Sequence, residues 1–179
     1  GILAKDAGMI AAKEGKGLAL MAKGDFETPG ALFGEVLQAD ATRWKSLNAL
    51  GILFSMRGMQ SEAQAYYLEA LKYSEANSSV LNNMGLAQAL GDSHEEAVVS
   101  LTQAAVAAPT GSGDSRRIDL NLSLVYAAAG KASEARVVAA RYFTGDMLEK
   151  NAALYKHMAE DKALAKAYLT MALTENNAF

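Results

Sequence analysis

The chain has 179 residues, 51% of them apolar but only 7% aromatic, with two prolines, no cysteine and a net charge of −3. That length fits one domain, and alanine-rich apolar content suits close-packed helices better than sheets. The mild acidity gives no basic field for a nucleic-acid backbone, and the missing cysteine removes disulfides, thiol nucleophiles and cysteine-held zinc.

Gly1-Ile2-Leu3-Ala4-Lys5-Asp6 lacks the basic start and long apolar run of a signal peptide. No later stretch approaches the ~18 consecutive apolar residues of a membrane span. From there a block recurs at a spacing of 34: Leu50-Gly51, Ala63 and Ala70-Leu71 return as Met84-Gly85, Ala97 and Ala104-Ala105. That period belongs to stacked helix pairs. Extended both ways it gives units at 10–43, 44–77, 78–111 and, after four extra residues, 116–149. The eighth position of each unit is small (Gly17, Gly51, Gly85, Ser123), and the twentieth holds Pro29, Ala63, Ala97 and Ala135. Small residues there let two helices approach closely. Position twenty-four carries Phe33, Tyr67, Leu101 and Ala139, mostly larger groups that fill the space around the contact.

Gly24-Asp25, Gly58-Met59, Gly91-Asp92-Ser93 and Gly130-Lys131 read as the turns inside the units. Thr28 is expected to cap a helix whose first residue is Pro29. Ser61, Ser93 and Ser133, each followed closely by glutamate, read as caps of the other second helices. The loop from Thr110 to Ser115 is an insertion between the third and fourth units. Residues 146–174 read as a capping pair of helices covering the last apolar face, and 176–179 are expected to fray.

These positions resemble the tetratricopeptide repeat, most closely in the second and third units. The resemblance implies an all-α, right-handed solenoid of antiparallel helix pairs, about four repeats plus the capping pair, as one domain over 1–179. In such stacks the first helix of each pair lines a concave groove through positions two, five, nine, twelve and thirteen. It places Leu18, Met21, Lys45, Asn48, Ile52, Met56, Asn82, Leu86, Leu90, Arg117 and Leu124 in a protein-binding groove. Their apolar members are expected to form an exposed patch, covered by the chain's own terminal helices or a second copy if not by a partner. Relatives that grip chaperone carboxylate tails use paired lysines, asparagines and arginine. Here Asn83 and Arg117 fit that pattern, whereas Asn48, Ile52 and Asn121 replace its other members, so an apolar or amphipathic segment is the expected ligand.

No catalytic residues are expected, nor any metal, cofactor or small-molecule substrate. His94 and His157 are 63 positions apart without spaced partners, and no glycine cluster joins a strand to a helix. The eight methionines read as flexible apolar filling, and Trp44 as packing against the preceding helix.

The run from Arg117 to Tyr126, with Gly130, Glu134-Ala135 and Asn151-Ala152-Ala153-Leu154-Tyr155, is similar to the TadD family of tetratricopeptide lipoproteins. That resemblance implies an accessory, pilotin-like factor in assembly of Tad (Flp) pili, partnered by a secretin or another pilus or secretion component. It implies residence on the periplasmic side of the bacterial outer membrane, through a lipid on an upstream cysteine that this sequence does not contain. The alternative is a cytoplasmic, chaperone-like carrier of an exported or self-assembling protein.

Overall fold

The computed structural model describes residues 2–175, with side chains from Ala7 onward; the expected fraying of 176–179 lies outside the described residues. Among these the chain is entirely helical, and it divides into two compact units. The first comprises the described residues up to Glu75 together with Thr174 and Glu175, and the second runs Ala76–Leu173.

The first unit holds α1 (Ile2–Ala22), α2 (Pro29–Ala39), α3 (Trp44–Met56) and α4 (Gln60–Lys72), packed as the pairs α1 with α2 and α3 with α4. The pairing follows from the small eighth positions. An added Cβ on Gly17 would lie 2.6 Å from the Phe33 ring, and one on Gly51 would lie 2.6 Å from the Tyr67 ring. Both rings are fully buried, so the ring of the second helix rests on the bare backbone of the first. Across pairs, the Ser46 hydroxyl on α3 donates to the Glu14 carboxylate on α1 at 2.8 Å. Trp44 is only half-buried, with the Lys45 ammonium 5.7 Å from its ring centre.

The second unit holds α5 (Ser78–Leu90), α6 (His94–Ala107), α7 (Gly113–Ala128), α8 (Ala132–Ala139), α9 (Gly145–Glu160) and α10, which begins at Lys162 and ends at Glu175. Here α5 pairs with α6 and α7 with α8, while α9 packs on both α7 and α8. A Cβ on Gly85 would come within 2.8 Å of Leu101, the same contact as in the first unit. In the fourth pair the eighth position is Ser123 and its partner has shrunk to Ala139, fully buried. Tyr155 of α9 joins the Ala139 cluster, its hydroxyl beside Ser123. Burial pushes the phenol above the ordinary tyrosine range, and the Ser123 hydroxyl offsets part of that rise.

All four internal turns are closed in the same way. The residues after the turn, Asp25, Met59, Ser93 and Lys131, donate backbone N–H groups at 2.8–3.0 Å to Leu20, Phe54, Gln88 and Tyr126. Such a bond spanning the helix end needs a left-handed residue just before it. Gly24 (φ 83°), Gly58 (φ 75°) and Gly130 (φ 77°) supply it in three turns, and Asp92 (φ 63°) in the other. Within the Gly91-Asp92-Ser93 turn, Gly91 has an ordinary φ of −86° and the left-handed position falls one residue later.

Helix starts follow the expected pattern only in part. Pro29 opens α2 as expected, yet Thr28 makes no side-chain capping bond. The Asp25 carboxylate instead closes the turn that leads into α2, accepting from the N–H groups of Glu27 and Thr28 at 3.1 and 3.0 Å. Ser61 and Ser133 lie inside their helices, and Ser93 stands at the cap without a side-chain bond. The side-chain caps are instead Asn77 on α5, Ser112 on α7 and Asp161 on α10.

Candidate functional site

The residues expected to line a groove lie on α1, α3, α5 and α7. On the first unit, Met56 is exposed and Leu18 and Lys45 are half-buried, whereas Met21, Asn48 and Ile52 are enclosed, Ile52 completely. On the second, Leu90, Arg117 and Leu124 are half-buried, while Asn82, Asn83, Leu86 and Asn121 are buried. The open apolar patch expected from position counting is therefore reduced: Met21, Ile52 and Leu86 belong to the core. The flanks of neighbouring first helices lie side by side, as α1 and α3 do through Ser46 and Glu14, and α5 and α7 do through their asparagines. Counting positions along one helix cannot register that second layer of packing.

The asparagines form a connected set in the second unit. The Asn121 amide on α7 donates to the Asn82 side-chain oxygen on α5 at 2.8 Å, and the Asn82 amide donates to Asn83 at 3.3 Å. Buried amides must find partners, and these find one another, fixing the register of α5 against α7. Asn83, the residue that fits the middle of a carboxylate grip, is only 2% exposed.

Arg117 is paired with Asp114 one turn away at 3.0 Å, while its Nε is buried without a hydrogen-bond partner. Beside it on α7, Asp119 is nearly buried and accepts from the Tyr142 hydroxyl at 2.6 Å and from Arg141 at 3.1 Å. This carboxylate hydrogen bond holds the Tyr142 phenol above its ordinary pKa. Arg116 lies over the Tyr142 and Phe143 rings at 5.7 and 5.8 Å. Together these contacts tie α7 to the connection between α8 and α9. Position analysis does not reveal this cluster, because its members come from separate segments with no common spacing.

The described side chains offer no group of three His, Asp or Glu able to hold a metal ion. His94 is half-buried and His157 exposed, on different helices. A cleft of about 550 Å³ opens where α6 begins, lined by Asp92, His94, Glu95, Glu96, Tyr126 and Lys131 among others. It contains no nucleophile held against a base. No described helix is long and apolar enough to cross a membrane.

No family model matches the chain, and no curated protein matches it. Two solved structures do. One is PilF of Pseudomonas aeruginosa, with a TM-score of 0.69 and 21% identity over 93% of this chain and 77% of that one. The other is a mutant O-GlcNAc transferase of Thermobaculum terrenum, with a TM-score of 0.66 and 21% identity, covering 76% of this chain but only 27% of the transferase. At such identity the likeness concerns architecture. Helix pairs closed by four equivalent turns, bare eighth positions under large partners, and these neighbours establish the chain as an all-α protein of tetratricopeptide-type fold.

Proposed function

We propose that the chain is a non-enzymatic scaffold for protein–protein contacts, acting as an accessory, pilotin-like factor in assembly of a Tad pilus or a related secretion system. The observation that carries the binding part is the composition of the first helices. Even after the core is subtracted, they present Leu18 and Met56 in the first unit and Leu90, Leu124 and Arg117 in the second. Within each unit, apolar side chains beside a half-buried cation, Lys45 in the first and Arg117 in the second, suit an amphipathic or extended apolar segment of another protein. The pilus part rests on the resemblance of 117–155 to the TadD family, and the fold shared with PilF adds weight to it. The proposed place of action, the periplasmic side of the outer membrane, follows from the same resemblance.

The test is affinity purification from the native organism with the wild-type chain and with Leu90→Glu, followed by mass spectrometry. Recovery of a secretin or another pilus component, lost with Leu90→Glu in a folded protein, supports the proposal. Recovery only of unassembled export substrates points to a chaperone-like carrier instead.

A further inference from the structure

The helix α10 does not simply close the last pair. It begins one residue after α9, yet its Lys166 ammonium reaches Asp92, 74 positions earlier in the turn between α5 and α6, at 3.2 Å. Its face of Ala165, Leu169, Ala172 and Leu173 is buried, the two leucines to 1% and 0% exposure. Ala165 and Leu169 are four apart, and Ala172 and Leu173 follow Leu169 by three and four, so all four lie on one side of a helix. Ala165 belongs to the same apolar cluster as Tyr155 and Met158 of α9. Leu124, the position of α7 expected to face a ligand, packs against that cluster, as do Leu164 and Tyr168 of α10 itself.

Asp92 adds an independent observation. Positions 24, 58 and 92 are equivalent at the 34-residue period, and Gly130 matches them after the four-residue insertion. Three are glycine in the left-handed conformation, and the one that faces Lys166 is a strained aspartate with φ 63°. A side chain at a position where its own repeats use glycine is retained against the backbone preference. Its carboxylate meets Lys166 directly, with Lys162 and His94 acting on the same charge.

We propose that α10 is a resident ligand of the apolar cluster formed by α7, α8 and α9 in the second unit, tied to the α5–α6 turn by the Asp92–Lys166 pair, and that this site takes a partner helix of the same chemistry when α10 leaves. The partner is an amphipathic helix with leucine and alanine on one side and a lysine or arginine placed to meet Asp92. This rests on the binding role proposed above and adds a control to it: affinity for the partner is reduced by the fraction of molecules in which α10 is docked.

The experiment uses the full chain with Asp92→Gly, which removes the carboxylate and suits the backbone at that turn, and with Lys166→Glu. Hydrogen exchange of the α10 amides rises about two- to fivefold in both variants, the range expected for loss of a solvent-exposed ion pair, while α5 and α6 keep their protection. A fluorescent peptide with the sequence of residues 162–175 then binds Lys166→Glu, which retains Asp92, more tightly than it binds wild type by a similar factor. A peptide with its lysines replaced by glutamate does not. Unchanged exchange in α10 overturns the clamp, and raised exchange without peptide binding overturns the shared-ligand assignment. Neither result depends on recovering a pilus component, so failure here is separable from failure of the pilus reading.

Discussion

Gly51→Ala tests the packing logic of the repeat most directly. The new methyl would stand 2.6 Å from Tyr67 Cε1 and 2.8 Å from Cδ1 and Cζ, against a comfortable carbon separation of roughly 3.5–4.0 Å. The ring must therefore shift by about 1 Å, and it is fully buried with no room to yield. Overpacking of this kind costs about 1–3 kcal/mol, offset by about 1 kcal/mol gained from replacing glycine inside a helix. The net loss is about 0–2 kcal/mol. Gly15→Ala in α1 is the control, because nothing lies within 4 Å of its added Cβ, and it should gain up to about 1 kcal/mol. Urea unfolding followed by circular dichroism should place the two midpoints on opposite sides of wild type or separate them by about 1–3 kcal/mol. Adding Tyr67→Leu to Gly51→Ala should recover part of the loss, although the Tyr67 hydroxyl forfeits its 3.4 Å contact with Ser55. Equal stabilisation by both alanines would refute the close-approach argument.

Three further outcomes follow from other contacts. Asp119→Asn should lower the Tyr142 pKa toward the ordinary tyrosine value, seen as tyrosinate absorbance appearing at lower pH. In wild type the phenol's contribution to folding is complete below the unfolded tyrosine value and is lost as pH rises through the raised folded value. Asn82→Ala and Asn121→Ala should each cost about 1–3 kcal/mol, because each strands a buried amide. Their double-mutant cycle should give a coupling of about 0.5–3 kcal/mol in urea unfolding, and additivity would contradict a direct bond. Asp25→Ala should cost about 0.5–2 kcal/mol by the same measurement, whereas Thr28→Ala should cost less, since the Asp25 carboxylate holds the turn leading into α2 and Thr28 makes no side-chain capping bond.

The parts of the fold legible from the sequence are those fixed by one unit at a time. Gly17, Gly51 and Gly85 announce the close approach because the need for a missing side chain recurs at a constant spacing, and Pro29 announces the start of α2 because its own ring sets the backbone. Features that join separate units are less legible. Asp92 hides behind Gly91, since composition points to glycine as the turn while the left-handed position falls on its neighbour. The path of α10 is hidden for a different reason: Asp161 marks a turn without giving its direction, and only the contact of Lys166 with Asp92 does so. Ile52 and Leu86 illustrate the same limit at the groove, where periodicity gives the side of the helix but not what lies against it.

The exchange of bulk in the fourth pair has a consequence for how such a chain could be cut and copied. In the second and third pairs the large residue comes from the pair's own second helix, Tyr67 over Gly51 and Leu101 over Gly85, so 44–77 and 78–111 are complete modules. The fourth pair, with Ser123 and Ala139, borrows Tyr155 from the helix that follows. It is grammatically unfinished without α9. Duplication of either middle module should thus lengthen the array without opening a void, whereas inserting a module between 116–144 and α9 would leave the fourth pair hollow. Growth of this protein by repeat gain is possible upstream of that dependency and blocked at it.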